Sequence, residues 1–191
     1  MTPGHPADLA GHFHAVRFYK DDDSLCRIVG KFLIEGLIKA EPAVVIATPE
    51  HTTAIEECLR KASLDVDELK RLGELIALDA RETLATFMAD DVPNPGAFRD
   101  HVGGVITQVG QGRERCTIRA YGEMVDLLWK DGLTAAAIQV ETLWNQLARA
   151  HHFKLLCSYS MGNFYKGSAF DDIKSQHSHL TSEVGEHVPL H

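Results

Sequence analysis

The sequence Ala-Val-Val-Ile-Ala-Thr-Pro at residues 43–49 decides the fold class. Its first five residues form a continuous apolar run, which is typical of a strand buried on both faces, as in a parallel sheet. Thr48 can cap a helix with its side-chain oxygen, and Pro49 fits the first helical turn, where its missing N–H would have no partner. A buried strand that passes directly into a helix predicts one unit of an α/β domain.

The same alternation of strands and helices continues on both sides of this segment. Strands are predicted from apolar, aromatic and β-branched runs at 13–19, 43–47, 75–78, 116–121 and 153–159. Helices are predicted from apolar residues three and four apart at 24–37, 49–63, 84–88, 96–110, 123–130 and from 134 onward, with a short helix near 170–175. This order predicts a mainly parallel central sheet with helices on both faces, that is, an α/β three-layer sandwich.

The composition is that of one ordinary globular domain. The chain has 191 residues, of which 45% are hydrophobic and 24% charged. Its 27 acidic and 19 basic side chains give a formal charge of −8 at pH 7, which opposes binding to the phosphates of nucleic acids or to an anionic membrane surface. We therefore expect neither nucleic acid nor a membrane as a direct partner.

The ends of the chain differ in composition from its middle. Proline and glycine recur in residues 1–11 and again, with polar residues, in 182–191. Both ends are therefore predicted to be flexible, and residues 12–181 to form the domain. Residues 1–8 lack the cationic and apolar stretches of a signal peptide, and no apolar run reaches the roughly 18 residues that span a bilayer. The expected location is the cytoplasm.

The cysteines and histidines show none of the spacings that indicate a disulfide framework or a metal site. Four cysteines lie far apart, at positions 26, 58, 116 and 157, and no Cys-x-x-Cys pair occurs. In a reducing compartment they are expected to be unpaired, buried thiols. Eleven histidines are present. His-Glu-x2-His does not occur, and the one His-x3-His spacing, at 187–191, falls in the predicted C-terminal tail and contains a proline, so it does not place two histidines on one helical face. No metal site and no cofactor are predicted.

The carboxyl ends of the predicted strands are the expected place for a ligand, because strand ends and helix starts leave polar groups converging there. These ends lie at 19–23, 48–51, 79–82, 121–123 and 159–163. Three of the five carry a tyrosine, and Arg119, Glu123 and His51 lie nearby, which predicts an amphipathic rim for a small organic molecule. Two simpler interpretations stay open: tyrosine rings that only close the core, and a Glu123 that only begins a helix.

The block around Glu123 is the most distinctive in the chain. Alternation along a strand places Arg119 and Tyr121 on the same side. Glu123 then falls in the first turn of a helix, where exposed amides favour its charge. In the next long helix Glu141 shares a face with Trp144. This second carboxylate is expected either to reach outward or to pair with a residue such as Arg119.

The turn after the first predicted strand excludes an ordinary phosphate-binding loop. A Walker A loop has the pattern Gly-x4-Gly-Lys-Ser/Thr, whose backbone amides and lysine surround phosphate. Residues 20–24 are instead Lys-Asp-Asp-Asp-Ser, and three carboxylates without a glycine repel phosphate. No Gly-x-Ser-x-Gly nucleophile motif occurs either. The domain is therefore predicted not to be an enzyme.

Five ordered motifs link the chain to a known family. They are His-x3-Phe-Tyr at 14–19, Arg-x-Tyr-Gly-Glu-Met-x3-Leu-Trp-x2-Gly at 119–132, Glu-x-Leu-Trp-Asn-x-Leu at 141–147, Phe-x-Leu-Leu-Cys-x-Tyr at 153–159 and Ile-x3-His-Ser at 173–178. They resemble the MEDS domain, the methanogen/methylotroph sensory domain of the dichloromethane-responsive repressor type, over about residues 12–180. The resemblance implies a RecA/KaiC-like α/β fold that has lost its phosphate loop, and a role in sensing small organic or hydrocarbon-derived molecules.

The leading expectation is therefore a non-catalytic sensory domain that binds a small organic ligand. Arg119 and Glu123 would orient the polar part of the ligand, tyrosines would form aromatic walls, and His177 would close the site. The predicted site residues, all within the family motifs, are His14, Tyr19, Arg119, Tyr121, Glu123, Tyr159 and His177.

The residues outside the resemblance are too few for a helix-turn-helix, a kinase or another output module. The signal is therefore expected to pass to a separate regulator, a histidine kinase or a DNA-binding protein, or through a homodimer. Two alternatives stay open. One is a nucleotide-binding or hydrolytic relic of the RecA-like ATPase fold, in which Glu123 positions water or a metal beside phosphate. The other is a scaffold that docks without any ligand.

Overall fold

The computed structural model describes residues 13–113, 116–163, 175–177, 179–181 and 187–189. Its strands are β1 (His14–Tyr19), β2 (Ala43–Ala47), β3 (Leu75–Asp79), β4 (Met88–Ala89), β5 (Val92–Pro93), β6 (Ile118–Gly122), β7 (Phe153–Ser160), β8 (His179–Thr181) and β9 (His187–Pro189). Its helices are α1 (Asp22–Leu37), α2 (Pro49–Lys61), α3 (Val66–Arg71), α4 (Ala80–Phe87), α5 (Pro95–Phe98), α6 (Gly104–Gly110), α7 (Met124–Lys130) and α8 (Thr134–Ala150). A π-helical turn at Arg99–Gly103 joins α5 to α6, and a 3-10 turn at Met161–Asn163 follows β7.

The central sheet has seven strands in the order β3-β2-β6-β7-β1-β8-β9, beside the small β4-β5 hairpin. Neighbouring strands from β3 to β8 are parallel, and β9 runs antiparallel to β8. β1 is aligned with β7 so that His14 lies opposite Leu155 and Val16 opposite Cys157. The mainly parallel sheet predicted from the sequence is thereby confirmed.

Side chains alternate between the two faces of the sheet, so each central strand contributes to two separate cores. On one face α1, α2 and α3 cover residues such as Val45 and Leu156. On the other face α4 to α8 cover residues such as Ile46 and Leu155. Two helical layers with the sheet between them confirm the predicted three-layer sandwich.

The winding of the chain reverses between the adjacent strands β2 and β6. After β2 the chain enters α2 on one face and then forms β3, whereas after β6 it enters α7 and α8 on the opposite face and then forms β7. Helices that leave two neighbouring strands toward opposite faces open a crevice beyond the carboxyl ends of those strands. Thr48 and Glu123 follow β2 and β6 directly, so the topology places them at this crevice.

Several details differ from the sequence prediction. The pattern misses α3 and the β4-β5 hairpin, because six residues and two-residue strands are too short to show a hydrophobic period. The helix predicted at 96–110 contains the π-helical turn instead of being continuous. The short helix near 170–175 and the arm at 1–11 lie almost wholly outside the described residues. Within 182–191, the described residues form β9.

All four cysteines are free, as predicted, but they are not equally buried. Cys26 and Cys157 lie in the core. Cys58 and Cys116 are partly exposed, so the expectation of four buried thiols is wrong for these two. The reason is local: Cys58 lines a groove between α1 and α2, and Cys116 lies in the loop before β6. Among the helices of the described part of the chain, none has the length and apolarity of a membrane span.

Candidate functional site

Glu123 is a fully buried carboxylate at the crevice between β2 and β6. One of its oxygens, Oε2, accepts a hydrogen bond from the Thr48 backbone N–H (3.1 Å), and Oε1 lies 2.7 Å from His51 Nδ1. The other ring nitrogen of His51 is 3.3 Å from a carboxylate oxygen of Asp22, whose side chain is 81% exposed. A chain of carboxylate, imidazole and carboxylate therefore connects a buried charge to solvent. The hydrogen bond to Glu123 raises the pKa of His51 above its usual value, against the lowering effect of burial.

A second buried carboxylate, Asp126, lies in the first turn of α7. Its Oδ2 accepts from the Tyr19 hydroxyl at 2.6 Å and lies 2.7 Å from Lys130 Nζ, while Oδ1 accepts from the Ser160 backbone N–H at 2.9 Å. Burial and the hydrogen bond to Asp126 raise the pKa of Tyr19 far above its usual value. This arrangement ties together the ends of β1, β7 and α7.

These two carboxylates and their side-chain partners form one constellation at the carboxyl edge of the sheet, which we call the edge network. Its members are Glu123, His51, Asp22, Asp126, Tyr19 and Lys130. They come from the ends of β1 and β6 and from α1, α2 and α7, so the parallel topology alone brings them together.

Arg119 lies at the opposite end of the sheet from the edge network. It pairs with the first residue of β2, Ala43, and three residues separate it from Glu123, a distance of about 13 Å along the strand. Its Nε donates to Glu41 at 2.6 Å, and its Nη1 donates to the Phe32 carbonyl oxygen at 3.1 Å. The structure therefore uses Arg119 to join α1 to the start of β2 and does not bring it to Glu123.

Tyr121 is fully buried on the α1 side of the sheet. Its hydroxyl and the Ser158 hydroxyl are 2.8 Å apart, in a contact between β6 and β7. Arg119 and Tyr121 do share one face, as the alternation along the strand predicts, because both lie under α1. The Tyr121 ring itself belongs to the core, which matches the simpler interpretation left open by the sequence.

A separate ionisable cluster surrounds Glu141 of α8, on the other face of the sheet. Glu141 Oε2 lies 3.2 Å from His14 Nε2 and 3.5 Å from Cys157 Sγ. Its Oε1 lies 3.2 Å from His177 Nε2 and accepts a 2.8 Å hydrogen bond from the Tyr159 hydroxyl. We call these five residues the Glu141 centre. They come from β1, α8, β7 and the segment before β8, and every one of them is buried.

Neighbouring side chains fix the orientation of the Glu141 centre. Asn145, one turn along α8 from Glu141, lies with Oδ1 2.8 Å from His14 Nδ1 and donates from Nδ2 to the Gln176 carbonyl oxygen at 2.8 Å. The ring of Trp129 meets the Tyr159 ring edge-on, with centroids 5.7 Å apart. The centre is thus connected to the segment before β8 on one side and to α7 on the other.

Burial and the neighbouring charges together determine the electrostatics of the Glu141 centre. Burial alone would raise the pKa of Glu141, but the charge of His177 and the close contacts of His14 and His177 with the carboxylate outweigh it, and the pKa lies well below its usual range. Burial and the charge of His177 lower the pKa of His14. Burial and the charge of Glu141 raise the pKa of Cys157 well above its usual value. The centre therefore holds a carboxylate whose charge is stabilised only by groups of the protein.

The seven predicted site residues do not form one site. His14, Tyr159 and His177 belong to the Glu141 centre, Tyr19 and Glu123 belong to the edge network, and Arg119 and Tyr121 belong to neither. Glu141 pairs with two histidines and a tyrosine; it neither reaches outward nor pairs with Arg119. The list of predicted site residues omits Asp22, His51, Asp126, Lys130, Glu141 and Cys157, although His51 is expected near the predicted rim. Two of these residues, Glu141 in α8 and Cys157 in β7, are positions of the family motifs at 141–147 and 153–159. Their place in those motifs is the sequence signal that could have identified them.

The turn at residues 20–24 confirms the absence of a Walker A loop. Asp21 caps α1, accepting a hydrogen bond from the Ser24 backbone N–H at 2.8 Å, while Ser24 Oγ accepts from the Asp21 backbone N–H at 3.1 Å. This capping box places a carboxylate at the amides that a phosphate would use. The start of α1 is therefore occupied by the chain itself.

A groove of about 270 Å³ lies beside the edge network, between α1 and α2. Its lining combines charged and small apolar side chains, namely Asp22, Asp23, Cys26, Arg27, Ala54, Glu57, Cys58 and Lys61. Asp22 belongs to both the groove and the edge network. A molecule from solvent can therefore reach Asp22, the partner of His51, through the groove.

Together, the three-layer fold, the self-capped first turn and the ionisable strand ends define an α/β domain without a phosphate loop. A family model described as MEDS, the MEthanogen/methylotroph, DcmR Sensory domain, matches residues 13–177. The chain belongs to this family of sensory domains, which is consistent with a sensory role. No protein of curated function matches the chain.

Proposed function

We propose that this domain is a non-catalytic cytoplasmic sensor that binds a small organic ligand at the carboxyl edge of its sheet and signals through a separate partner protein. The observation that carries the proposal is the pair of fully buried carboxylates of the edge network, Glu123 and Asp126, three residues apart at the start of α7. Each is linked to a side chain that reaches solvent, Asp22 through His51 and Lys130 directly. Buried charges with solvent-reaching partners at a topological switch point are typical of ligand sites.

The groove between α1 and α2 supports a ligand of small size. At about 270 Å³ it falls just below the range of roughly 300–1,000 Å³ that is common for drug-sized ligands. A hydroxyl or amine group of the ligand would hydrogen-bond Asp22 and His51, and its apolar part would lie on Cys26 and Ala54. Organic molecules with one polar group and a short apolar body have this chemistry.

The edge network also supports a route for the signal. A ligand acts as a signal only when it binds one arrangement of the protein more tightly than another. Asp22, His51 and Glu123 belong to α1, α2 and the start of α7, so a ligand that displaces Asp22 from His51 changes the contacts among three helices. The altered outer surface of these helices would be recognised by a regulator, a histidine kinase, a DNA-binding protein or a second copy of the chain.

Isothermal titration of the full chain tests the proposal, with short alcohols, amines, organic acids, halocarbons and Mg·ATP as probes. We expect at least one of the small organic classes to bind, and to bind about tenfold or more weakly to Glu123→Gln, since a charged hydrogen-bond partner of His51 is lost. Glu56→Gln is the control, because Glu56 is also a buried carboxylate but pairs with Lys70 outside the edge network. Its affinity should equal that of the wild type.

Two outcomes would overturn the proposal. One is a folded wild-type chain that binds none of the organic probes. The other is a probe whose affinity is unchanged in Glu123→Gln and in Asp22→Asn. Binding of Mg·ATP alone would favour the nucleotide-binding relic instead, although the capping box of Asp21 opposes phosphate at that turn.

A further inference from the structure

Four side chains with the chemistry of transition-metal ligands converge at the Glu141 centre, which shares no residue with the edge network. The ligand atoms are a ring nitrogen of His14 and of His177, a carboxylate oxygen of Glu141 and the sulfur of Cys157, and all lie within 4.8 Å of one another. All four side chains are buried, with exposed fractions of 2% or less. Imidazole, thiolate and carboxylate are the ligand types that zinc uses in proteins.

Three of the distances among these atoms are close to the edges of a metal-centred tetrahedron. Zinc bonds of ordinary length place neighbouring tetrahedral ligand atoms about 3.4 to 3.6 Å apart. In the structure His14 Nε2 lies 3.3 Å from Cys157 Sγ and 3.2 Å from Glu141 Oε2, and the same two atoms of Cys157 and Glu141 are 3.5 Å apart. These three atoms form one face of the tetrahedron, and His177 approaches the same carboxylate at 3.2 Å.

The tautomer of His14 supports metal binding through Nε2, the ring nitrogen that faces Cys157 and Glu141. Asn145 donates from Nδ2 to the Gln176 carbonyl oxygen, so its Oδ1 faces His14, and an amide oxygen can only accept. His14 Nδ1 must therefore carry the proton, which leaves the lone pair of Nε2 in neutral His14 directed at the sulfur and the carboxylate. A histidine that binds a metal through one ring nitrogen commonly donates from the other to an oxygen acceptor, and Asn145 Oδ1 is such an acceptor for His14 Nδ1.

We propose that His14, Glu141, Cys157 and His177 bind one divalent transition metal ion of the zinc class. Thiolate and imidazole ligands in tetrahedral positions select such an ion over magnesium or calcium, which take oxygen ligands in larger numbers. On binding, Cys157 gives up its thiol proton to solvent and forms the metal–sulfur bond. The Tyr159 hydroxyl and the Asn145 amide hold the carboxylate and the imidazole in place.

The metal would fasten the segment before β8 to the body of the domain. Three ligands come from β1, α8 and β7, whereas His177 lies two residues before β8. A competing arrangement has protons in place of the metal, with histidinium groups paired to the carboxylate. The two arrangements differ in the state of the sulfur, because only a metal makes Cys157 a bound thiolate.

The test is metal analysis of the full chain purified without chelator, followed by exchange with Co²⁺. We expect about one zinc ion per chain, as in other four-ligand sites. The Co²⁺ form should show a sulfur-to-metal charge-transfer band in the near ultraviolet and intense tetrahedral bands in the visible. Histidines elsewhere in the chain can bind Co²⁺ without sulfur, so the charge-transfer band is the diagnostic signal.

Cys157→Ser should abolish the charge-transfer band, while Cys116→Ser should retain it. Cys116 is the control, because it is also a free thiol but lies in the loop before β6, outside the Glu141 centre and outside the groove between α1 and α2. If Cys157→Ser does not fold, the spectrum of the wild type alone decides. A folded wild type in which Co²⁺ produces no thiolate band, or a band that Cys116→Ser loses, overturns the proposal. The proposed ligand function is tested separately through Glu123→Gln.

Discussion

The edge network and the Glu141 centre both bury carboxylates, but they balance the charge in different ways. At the edge network, Asp126 is paired with Lys130, whose side chain is 38% exposed, and Glu123 is connected through His51 to the exposed Asp22. At the Glu141 centre, the partner histidines are as buried as the carboxylate itself. A buried charge with a solvent-reaching partner can exchange that partner for a ligand. A fully enclosed charge keeps its partners and acts on the stability of the fold.

Removal of the enclosed charge should have the largest effect. Glu141→Leu leaves two histidines and the Tyr159 hydroxyl buried without their acceptor, so we expect the free energy of unfolding to fall by about 3–5 kcal/mol. Urea unfolding followed by far-ultraviolet circular dichroism measures the change. Glu141→Gln keeps the shape and an acceptor oxygen and should lose less. A loss below about 1 kcal/mol for Glu141→Leu would be no larger than that expected for an exposed ion pair. It would contradict the proposed difference between the Glu141 centre and the edge network.

The matching change at the edge network should cost less. Asp126→Asn keeps an oxygen that can accept from the Tyr19 hydroxyl or from the Ser160 N–H, but Lys130 loses its ionic partner. Because Lys130 can turn to water, we expect a loss of about 1–3 kcal/mol in the same unfolding experiment. The companion variant is Lys130→Met. It removes the exposed member of the ion pair and leaves Asp126 without this cationic partner. Equal losses at Asp126 and Glu141 would show that solvent access does not distinguish the two sites.

The pH dependence of His51 sharpens the comparison further. Its pKa in the folded chain is raised above the usual 6.5, chiefly by the hydrogen bond to Glu123. The stabilisation from protonated His51 is therefore complete below pH 6.5 and is lost as the pH rises through the higher folded value. The difference in unfolding free energy between the wild type and His51→Gln should be largest near pH 6. A difference that grows as the pH rises would contradict this sign.

The smallest loss of unfolding free energy is expected at an exposed ion pair. Arg81 makes a bidentate contact with Asp131, and its side chain is 53% exposed. We expect Arg81→Ala to lower the free energy of unfolding by about 0.2–1 kcal/mol, and by less at high salt, because water and ions screen the pair. Parallel urea titrations at low and high ionic strength test this. A larger loss, or none of the expected salt dependence, would show that exposure is a poor guide to these energies.

The sequence predicts the sheet and three of the six members of the edge network, Tyr19, His51 and Glu123, for one physical reason. A strand buried on both faces must be apolar throughout, so the run at 43–47 predicts β2 with its observed bounds. Parallel strands bring their carboxyl ends to one edge, so Glu123 and Tyr19 could be placed near each other without coordinates. The same argument assigned Arg119 to the right face but not to the right end, because alternation defines the face and not the position along the strand.

The Glu141 centre could not be predicted in this way. His14 begins β1, Cys157 lies in the middle of β7, Glu141 lies in α8 and His177 precedes β8, so no two of the four metal-binding candidates share a short motif. Only the pairing of β1 with β7, in which Val16 lies opposite Cys157, brings the first two together. The packing of α8 over these strands then adds the carboxylate. Both are tertiary facts that spacing along the chain does not encode.

The edge-on contact between Trp129 and Tyr159 provides an optical reporter inside the protein. The chain has two tryptophans. Trp144 is fully buried among the rings of Phe98 and Phe153, and Trp129 touches the tyrosine whose hydroxyl binds Glu141. A change in the charge beside that hydroxyl alters the surroundings of one indole and leaves the other as an internal reference. Intrinsic fluorescence can thus follow the occupancy of this interior without any attached dye.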